Sequence, residues 1–255
     1  MTESIDWDPL RKNAAGRHGG SSAVVHQDDL LWRFIAGLTT LFPAPADVAD
    51  YYFSDGAKSA RMLAAAIDRH SAGGPLSIME FAAGYGMVTR HLKRVLPNAA
   101  ITSCDIHEAA VEFLQTEIGV SAVLSEHRPE DLQFAQQYDV VFALSFFSHM
   151  PESSFGRWLG ALYRNVKPGG LFIFTTHGLA SRPNLGDPEI PESGIWFKPL
   201  SEQHDIEGAE YGSTLSTPEF VIRELYANTA APLAEFKAGY WWQHQDLYLA
   251  RKPCQ

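Results

Sequence analysis

From Leu76 onward the chain repeatedly trades short apolar runs for stretches with helical spacing, and this alternation constrains the fold more than any single motif. "LSIMEF" (76–81) reads as a buried strand, and 86–96 as a helix with Val88, Leu92 and Val95 inward. "AITSCDI" (100–106) is a second strand, followed by a helix over 108–118. "SAVLSE" (121–126) is a third strand and "YDVVFALS" (138–145) a fourth, apolar on both faces. "PESSFGRWLGALYRNV" forms the next helix, and "KPGG" turns the chain into the strand "LFIFTT" (171–176). Strands alternating with helices predict a parallel sheet built from right-handed crossovers.

The flanks read differently. Residues 1–28 are polar and rich in Gly, Ser and His, which predicts a mobile arm ahead of a domain over 29–255. Cap helices are expected within 29–71. Leu31, Phe34, Ile35, Leu38 and Leu41 fall on one face before Pro43, and a second helix covers about 56–70 with Met62, Leu63, Ala66 and Ile67 inward. Residues 178–216 show no periodicity and many Pro, Gly and acidic residues, which predicts a lid insertion. Order resumes at "STPEF", a capping signal with Pro in the first turn. "LAEFKAG" and "HQDLYLA" close the domain as two strands joined by the hairpin "YWWQ".

A chain of 255 residues that is 45% hydrophobic can bury a substantial core. Its formal net charge of −10 disfavours nucleic acid or an anionic membrane as partner. Cys104 and Cys254 have no metal-ligand or redox spacing, the first residues are too polar for a signal peptide, and no apolar run is long enough to span a bilayer. A cytoplasmic protein is expected, and nothing in the pattern specifies an oligomeric state.

A Gly-rich turn between a strand and a helix offers backbone N–H groups to a ligand. In "EFAAGYG", Gly84 and Gly86 fit the first two positions of the dinucleotide pattern G-x-G-x-x-G, but Thr89 stands at the third, which argues against NAD. Glu80 lies in the strand before the turn. Asp105 ends the next strand, where a carboxylate can accept hydrogen bonds from a ribose diol.

Together with "YDVVFALSFFSHMPE" and "LYRNVKPGGLFIF", this combination resembles the class I S-adenosylmethionine-dependent methyltransferase family over about residues 56–178, and more loosely in "QHQDLYLARKP". The resemblance implies a Rossmann-like, doubly wound, mostly parallel α/β sheet of seven strands with an antiparallel last strand, and S-adenosyl-L-methionine as cofactor. By carry-over, Gly84 and Gly86 admit the methionine part of the cofactor and Glu80 orients its amino group. Asp105 holds the ribose hydroxyls, and Ile106 packs on adenine. Two positions depart from the family. Ala82 stands at its first glycine, a change compatible with a negative φ. The acid near the adenine amine falls in "EHRPED" at about Arg128, which leaves Arg128, His127 or backbone groups to recognise the base.

The implied reaction is methyl transfer. The protein must then align an acceptor with the methyl group, exclude water and remove a proton if the acceptor is a hydroxyl. Ligands of open parallel sheets bind beyond the carboxyl ends of the strands. His149 and His177 follow the fourth and fifth strands and are the candidate bases, with His244 reaching the same edge from the final hairpin. Each has an ordinary alternative: His149 as a hydrogen-bonder at a helix start, His177 as a turn residue, His244 as a polar neighbour of Trp241 and Trp242. No spacing supports a metal site. Trp196, Phe197 and Tyr211 of the lid, with Trp242 and His244, suit walls around a small molecule or sugar, while Glu202, Gln203 and His204 offer hydrogen bonds. A non-catalytic S-adenosylmethionine-binding protein and an NAD-dependent oxidoreductase are the competing readings.

Overall fold

The computed structural model describes residues 5–71, 73–201, 203 and 205–254. Its strands are β1 (Ser77–Phe81), β2 (Ala100–Asp105), β3 (Ser121–Leu124), β4 (Tyr138–Ala143), β5 (Val166–His177), β6 (Ile195–Lys198), β7 (Ser213–Ser216), β8 (Leu233–Trp241) and β9 (Gln245–Arg251). Seven of them form a sheet in the order β3-β2-β1-β4-β5-β9-β8, and β6 and β7 make a separate antiparallel pair. β2 with β3, β1 with β4, and β4 with β5 pair in parallel, while β9 runs antiparallel to both β5 and β8. The alternation of the sequence is thus a seven-stranded, mostly parallel α/β sheet, as the resemblance implies.

The chain divides into two compact units, Met1–Pro75 with Ala83–Leu124, and Leu76–Ala82 with Ser125–Gln255. The first contains α1 (Trp7–His18), α2 (Leu30–Gly37), α3 (Pro45–His70), α4 (Thr89–Val95), α5 (Glu108–Phe113), β2 and β3. Here the sequence reading needs three corrections. Part of the expected mobile arm is helix α1, started by the Asp6 side chain accepting from the Asp8 N–H and ended by Gly19 at φ +75°. Its buried residues are Ala14 and Ala15, so it packs on α3 without any apolar stripe to betray it. Residues 1–4 of that arm lie outside the described residues.

In α2 the buried residues are Trp32 and Ile35, whereas Leu31 and Phe34, and Leu41 beyond the helix end, are exposed. The tryptophan decides the helix's rotation, because its ring meets Trp7 and Tyr52 edge-on at 5.1 and 5.3 Å. α3 starts eleven residues before the expected helix, with Pro45 in its first turn and the Asp47 carboxylate accepting the Ala44 N–H at 3.3 Å. Gly56, midway along it, lies against the Met87 carbonyl, where any Cβ would collide, so α3 and α4 approach closely.

The second unit contains β1, β4, α6 (Glu152–Arg164), β5, the β6–β7 pair, α7 (Pro218–Thr229), β8 and β9. Phe147, Phe155, Phe172, Phe174, Phe220 and Trp241 are fully buried in it, and each such side chain contributes about 1.5–3 kcal/mol by leaving water. "KPGG" lies within β5, where the pairing with β4 slips between Tyr138 and Val140, and Lys167 holds the Asp139 carboxylate at 2.9 Å. The expected lid is more ordered than its lack of periodicity implies. Residues 179–185 form a 3₁₀ helix, and β6 pairs Ile195 with Ser216 and Trp196 with Leu215. Strands of four residues are too short for alternation to show.

Candidate active site

In the first unit, the glycine loop is tied to the end of β2. The Ala83 N–H donates to the Cys104 carbonyl at 3.0 Å, and the Gly84 N–H to Asp105 Oδ2 at 2.7 Å. Asp105 is 6% exposed, and its Oδ1 accepts the His107 N–H at 3.1 Å and lies 2.9 Å from His107 Nδ1. Gly84 and Gly86 have φ of +54° and +74°, a region L-residues adopt only with strain. A Cβ at Gly84 would meet nothing within 4 Å, so the loop leaves open space there. Ile106 follows, half-buried.

The loop's other side is held by Arg90, which is 1% exposed. Its Nε donates to Gly86 O at 3.0 Å, and Nη2 to Tyr85 O at 3.1 Å and the Tyr52 hydroxyl at 3.4 Å. Its Nη1 donates to Ser22 O at 3.1 Å and Val24 O at 2.8 Å. All five guanidinium N–H groups are thereby used. Tyr52 in turn donates to Asp29 at 2.7 Å, and burial raises the carboxyl of Asp29 above its ordinary range. Residues 22–26 lie on the loop, where His26 stacks on Tyr85 at 4.5 Å. Sequence reading missed Arg90; its signal is a cation on the helix turn that otherwise carries Val88 and Leu92 inward.

In the second unit, Glu80 is buried in β1 opposite Phe142. Ala82 has φ +55°, which overturns the expectation of a negative value at this departure from the glycine pattern. The chain needs the left-handed turn whichever residue stands there. Arg128 is on the surface, 71% exposed at the side chain, 3.9 Å from both Glu130 and Asp131.

The ends of β4 and β5 carry a closed polar ring. Ser145, at φ +63°, donates its N–H to Thr175 Oγ1 at 2.8 Å. Thr175 donates to Gln245 Oε1 at 2.7 Å, and Gln245 Nε2 donates to Ser145 Oγ at 2.8 Å. Left-handed backbone at non-glycine positions clusters at functional edges. Gln245, which sequence reading also missed, is the first residue of β9, ahead of Asp246 and the apolar run Leu247–Ala250.

Beside this ring the structure brings together His149, His177, His244 and Tyr211. The imidazoles of His149 and His177 are 6.2 Å apart, and those of His177 and His244 are 5.7 Å apart. Tyr211 stacks on His149 at 4.4 Å, and Trp242 on His244 at 6.2 Å. Each Nδ1 faces an acceptor: Gly212 O for His149 at 2.8 Å, Thr214 O for His177 at 3.2 Å, and Ser181 Oγ for His244 at 3.0 Å. The Ser181 hydroxyl already donates to His244 O at 2.7 Å, so it accepts from the ring. These partners assign the Nδ1–H tautomer to all three rings and make Nε2 the basic nitrogen. Burial, and then the neighbouring His149 and His244, push His177 down to about 3; burial also lowers His244. Among the described residues, no group of three or more His, Cys, Asp or Glu is arranged to hold a metal ion.

Trp196 is on β6, paired with Leu215 of β7. Gln203 donates its N–H to Ser201 Oγ at 3.0 Å, while Glu202 and His204 lie outside the described residues. No helix among the described residues is long and apolar enough to cross a membrane.

The family model described as "Methyltransferase domain" matches residues 79–172, from within β1 into β5. Loop, sheet order and family model agree in kind: residues 79–172 are similar to a methyltransferase domain. A malonyl-[acyl-carrier protein] O-methyltransferase of Priestia megaterium is 30% identical over 106 residues, 40% of this chain and 37% of the relative. A ubiquinone biosynthesis O-methyltransferase of Pseudomonas savastanoi pv. phaseolicola is 33% identical over 104 residues, 39% of this chain and 43% of the relative. The chain thus matches less than half the length of these curated relatives. Among solved structures, an S-adenosylmethionine-dependent methyltransferase from Clostridium acetobutylicum superposes with a TM-score of 0.59 at 13% identity, over 87% of this chain and 98% of that one. A glycopeptide N-methyltransferase superposes with a TM-score of 0.56 at 16% identity, over 78% and 88%. Both likenesses speak to the fold.

Proposed function

We propose that the protein is an S-adenosylmethionine-dependent methyltransferase that methylates a hydroxyl oxygen of a small molecule or sugar. The observation that carries the oxygen acceptor is the pair of β7-side carbonyls, Gly212 and Thr214, on the Nδ1 atoms of His149 and His177. A neutral imidazole whose Nε2 is basic suits removal of a hydroxyl proton. The two curated relatives above are both named as O-methyltransferases, which supports the same choice.

The donor set of the first unit fits the cofactor: a buried carboxylate at Asp105 for a diol, and a left-handed loop with open space at Gly84. Gly84, Gly86, Asp105 and Ile106 hold the nucleoside and methionine parts in this reading. Bound, the cofactor supplies an electrophilic methyl on a sulfonium. The lid, with Trp196, Tyr211, Trp242 and His244, excludes water and shapes the acceptor pocket. The cysteine pattern and the acidic surface suit action in the cytoplasm on a small acceptor.

The test is a cofactor-turnover assay against sugars, phenols and carboxylates, with mass spectrometry of the products. Methylation at oxygen, lost in the double variant His149→Ala/His177→Ala, is the expected result. Cofactor binding without turnover on any acceptor would instead favour a non-catalytic binding protein, and binding of NAD alone an oxidoreductase.

A further inference from the structure

We propose that the first unit carries a second binding site, for a phosphate-type anion, in the cleft bounded by α1, α3 and α4 and built from Arg17, His18, Arg61, His91 and Arg94. The cleft has a volume of about 270 Å³. That is below the ~300–1,000 Å³ of pockets that take drug-sized ligands, so inorganic phosphate or a small phosphate monoester fits better than a nucleotide.

The local charge opposes the composition of the chain. The whole sequence has a formal net charge of −10, yet three guanidinium groups and two imidazoles line this cleft. One carboxylate answers them: Asp50 lies 2.9 Å from Arg17 and 2.6 Å from His18. Among the described residues no carboxylate pairs with Arg61 or Arg94. Like charges gathered without counter-charge repel one another, and an anion between them relieves that repulsion.

A structural role accounts for only part of the cluster. Arg17 and His18 lie in the last turn of α1, and Arg94 in the last turn of α4, where cations are favourable beside the carbonyl end of a helix. Arg61 stands in the middle of α3 and gains nothing from a helix end. His91 is the second, independent sign. Its ring lines the cleft, it is 1% exposed, and neither Nδ1 nor Nε2 has a hydrogen-bond partner. The Gly19 backbone lies near enough to favour its charged form without making a hydrogen bond of proper geometry. A buried polar group left unpaired destabilises a fold, and such groups normally have a partner, protein or solvent-borne.

Gly20 and Gly56 flank the His91 ring, with Cβ positions that would fall 3.4 Å from Cε1 and 3.0 Å from Cδ2, and Phe53 meets it edge-on at 6.4 Å. Burial, then Arg90, His18 and Arg61, hold His91 down at about 4, so at neutral pH it offers one N–H and one lone pair. Arg90 itself has all its donors engaged elsewhere, which leaves Arg61 and Arg94 as the groups to meet an anion's oxygens. Guanidinium groups suit this, because they bind phosphate in a planar, two-pronged way.

The experiment titrates the full chain with inorganic phosphate at constant ionic strength and follows the ring nitrogen signals of His91 by NMR, assigned by their loss in His91→Gln. A saturable shift is expected, with the dissociation constant raised about tenfold or more in Arg61→Gln, the effect of removing one charge-assisted hydrogen bond. A parallel titration with a short alkyl phosphate separates the two sources: tighter binding of the ester identifies an organic phosphate, and tighter binding of phosphate the free ion. If Arg61→Gln fails to fold by circular dichroism, Arg94→Gln supplies the same comparison. The proposal is overturned if no signal saturates, if chloride reproduces the shift, or if the folded arginine variant binds as the wild type does.

Discussion

The Oδ2 of Asp105 accepts the Gly84 N–H at 2.7 Å, so the carboxylate read from sequence as a ribose ligand is also a strut of the glycine loop. The Oδ1 atom is engaged by His107. A carboxylate has about four lone-pair positions, which leaves room for a diol beside these contacts. In the proposed reading, removing the side chain therefore loses ligand contact and loop geometry together. Asp105→Ala should weaken cofactor binding about 10- to 100-fold, the equivalent of about 1.5–3 kcal/mol. Asp105→Asn, which keeps one acceptor oxygen, should fall between. Calorimetry with S-adenosylhomocysteine decides, and an unchanged affinity in Asp105→Ala would remove the site from this loop.

Arg90 joins residues 22–24 to the loop at Tyr85 and Gly86 through one buried guanidinium. Removing the guanidinium leaves its carbonyl partners without a donor, which costs about 1–3 kcal/mol for an acceptor that stays buried. Arg90→Met should lower the unfolding free energy by that order in urea melts. Arg90→Lys keeps the charge but not the five-donor fork, so its expected signature is milder: faster hydrogen exchange at 20–29 and weaker cofactor binding, with the fold retained. Protection at 20–29 equal to wild type in the lysine variant would show that the segment stands without the clamp.

How much of this could be read from the chain follows from what periodicity reports. The strands of the sheet announce themselves because β1, β4 and β5 are buried on both faces and become continuous apolar runs, as "VVFA" and "LFIF" are. Helix α1 stays invisible because alanines bury it, and α2 is misread because one tryptophan outweighs a stripe of leucines. Asp105 and the glycines were legible as a spacing. Arg90 and Gln245 were not, since their partners are backbone carbonyls or residues 38 to 100 positions away, such as Tyr52, Thr175 and Ser145.

At Ala82 the backbone stands at φ +55°. A left-handed conformation costs an L-residue roughly 1–2 kcal/mol, while glycine loses about 0.5–1 kcal/mol through its freer unfolded chain. Ala82→Gly should therefore be neutral or stabilising by up to about 1 kcal/mol, against the usual direction for glycine substitutions. Equilibrium urea unfolding tests this, and a clear loss of stability would mean that the methyl group makes contacts outweighing the strain.

The depressed histidines make stability depend on acid. His177 and His91 are held at about 3 and about 4, below the ordinary 6.5. Between those values the unfolded chain takes up protons that the folded protein refuses. Stability is therefore present above about pH 6.5 and declines as pH falls toward 3–4, at up to about 1.4 kcal/mol per pH unit for each group. His177→Gln should flatten the profile between pH 4 and 6.5. An unaltered slope in that variant would mean that His177 takes up its proton in the folded state.

As the proposed bases, His149 and His177 differ, although β7-side carbonyls orient both. A general base works best with a pKa near the operating pH, and burial beside two other imidazoles holds His177 at about 3. His149 is stacked on Tyr211 and bonded through Nδ1 to Gly212, so the position of residues 211–212 and the orientation of the His149 ring are coupled. His149→Ala should then slow turnover by about 10²–10⁴-fold with cofactor affinity preserved. His177→Ala should act more through alignment, raising the acceptor's KM and lowering kcat less. Tyr211→Ala, which frees one face of the His149 ring, should lower kcat without touching cofactor binding. Steady-state kinetics at saturating acceptor separate these outcomes. Wild-type kcat in both histidine variants would end the base assignment and leave methyl transfer to alignment of the acceptor alone.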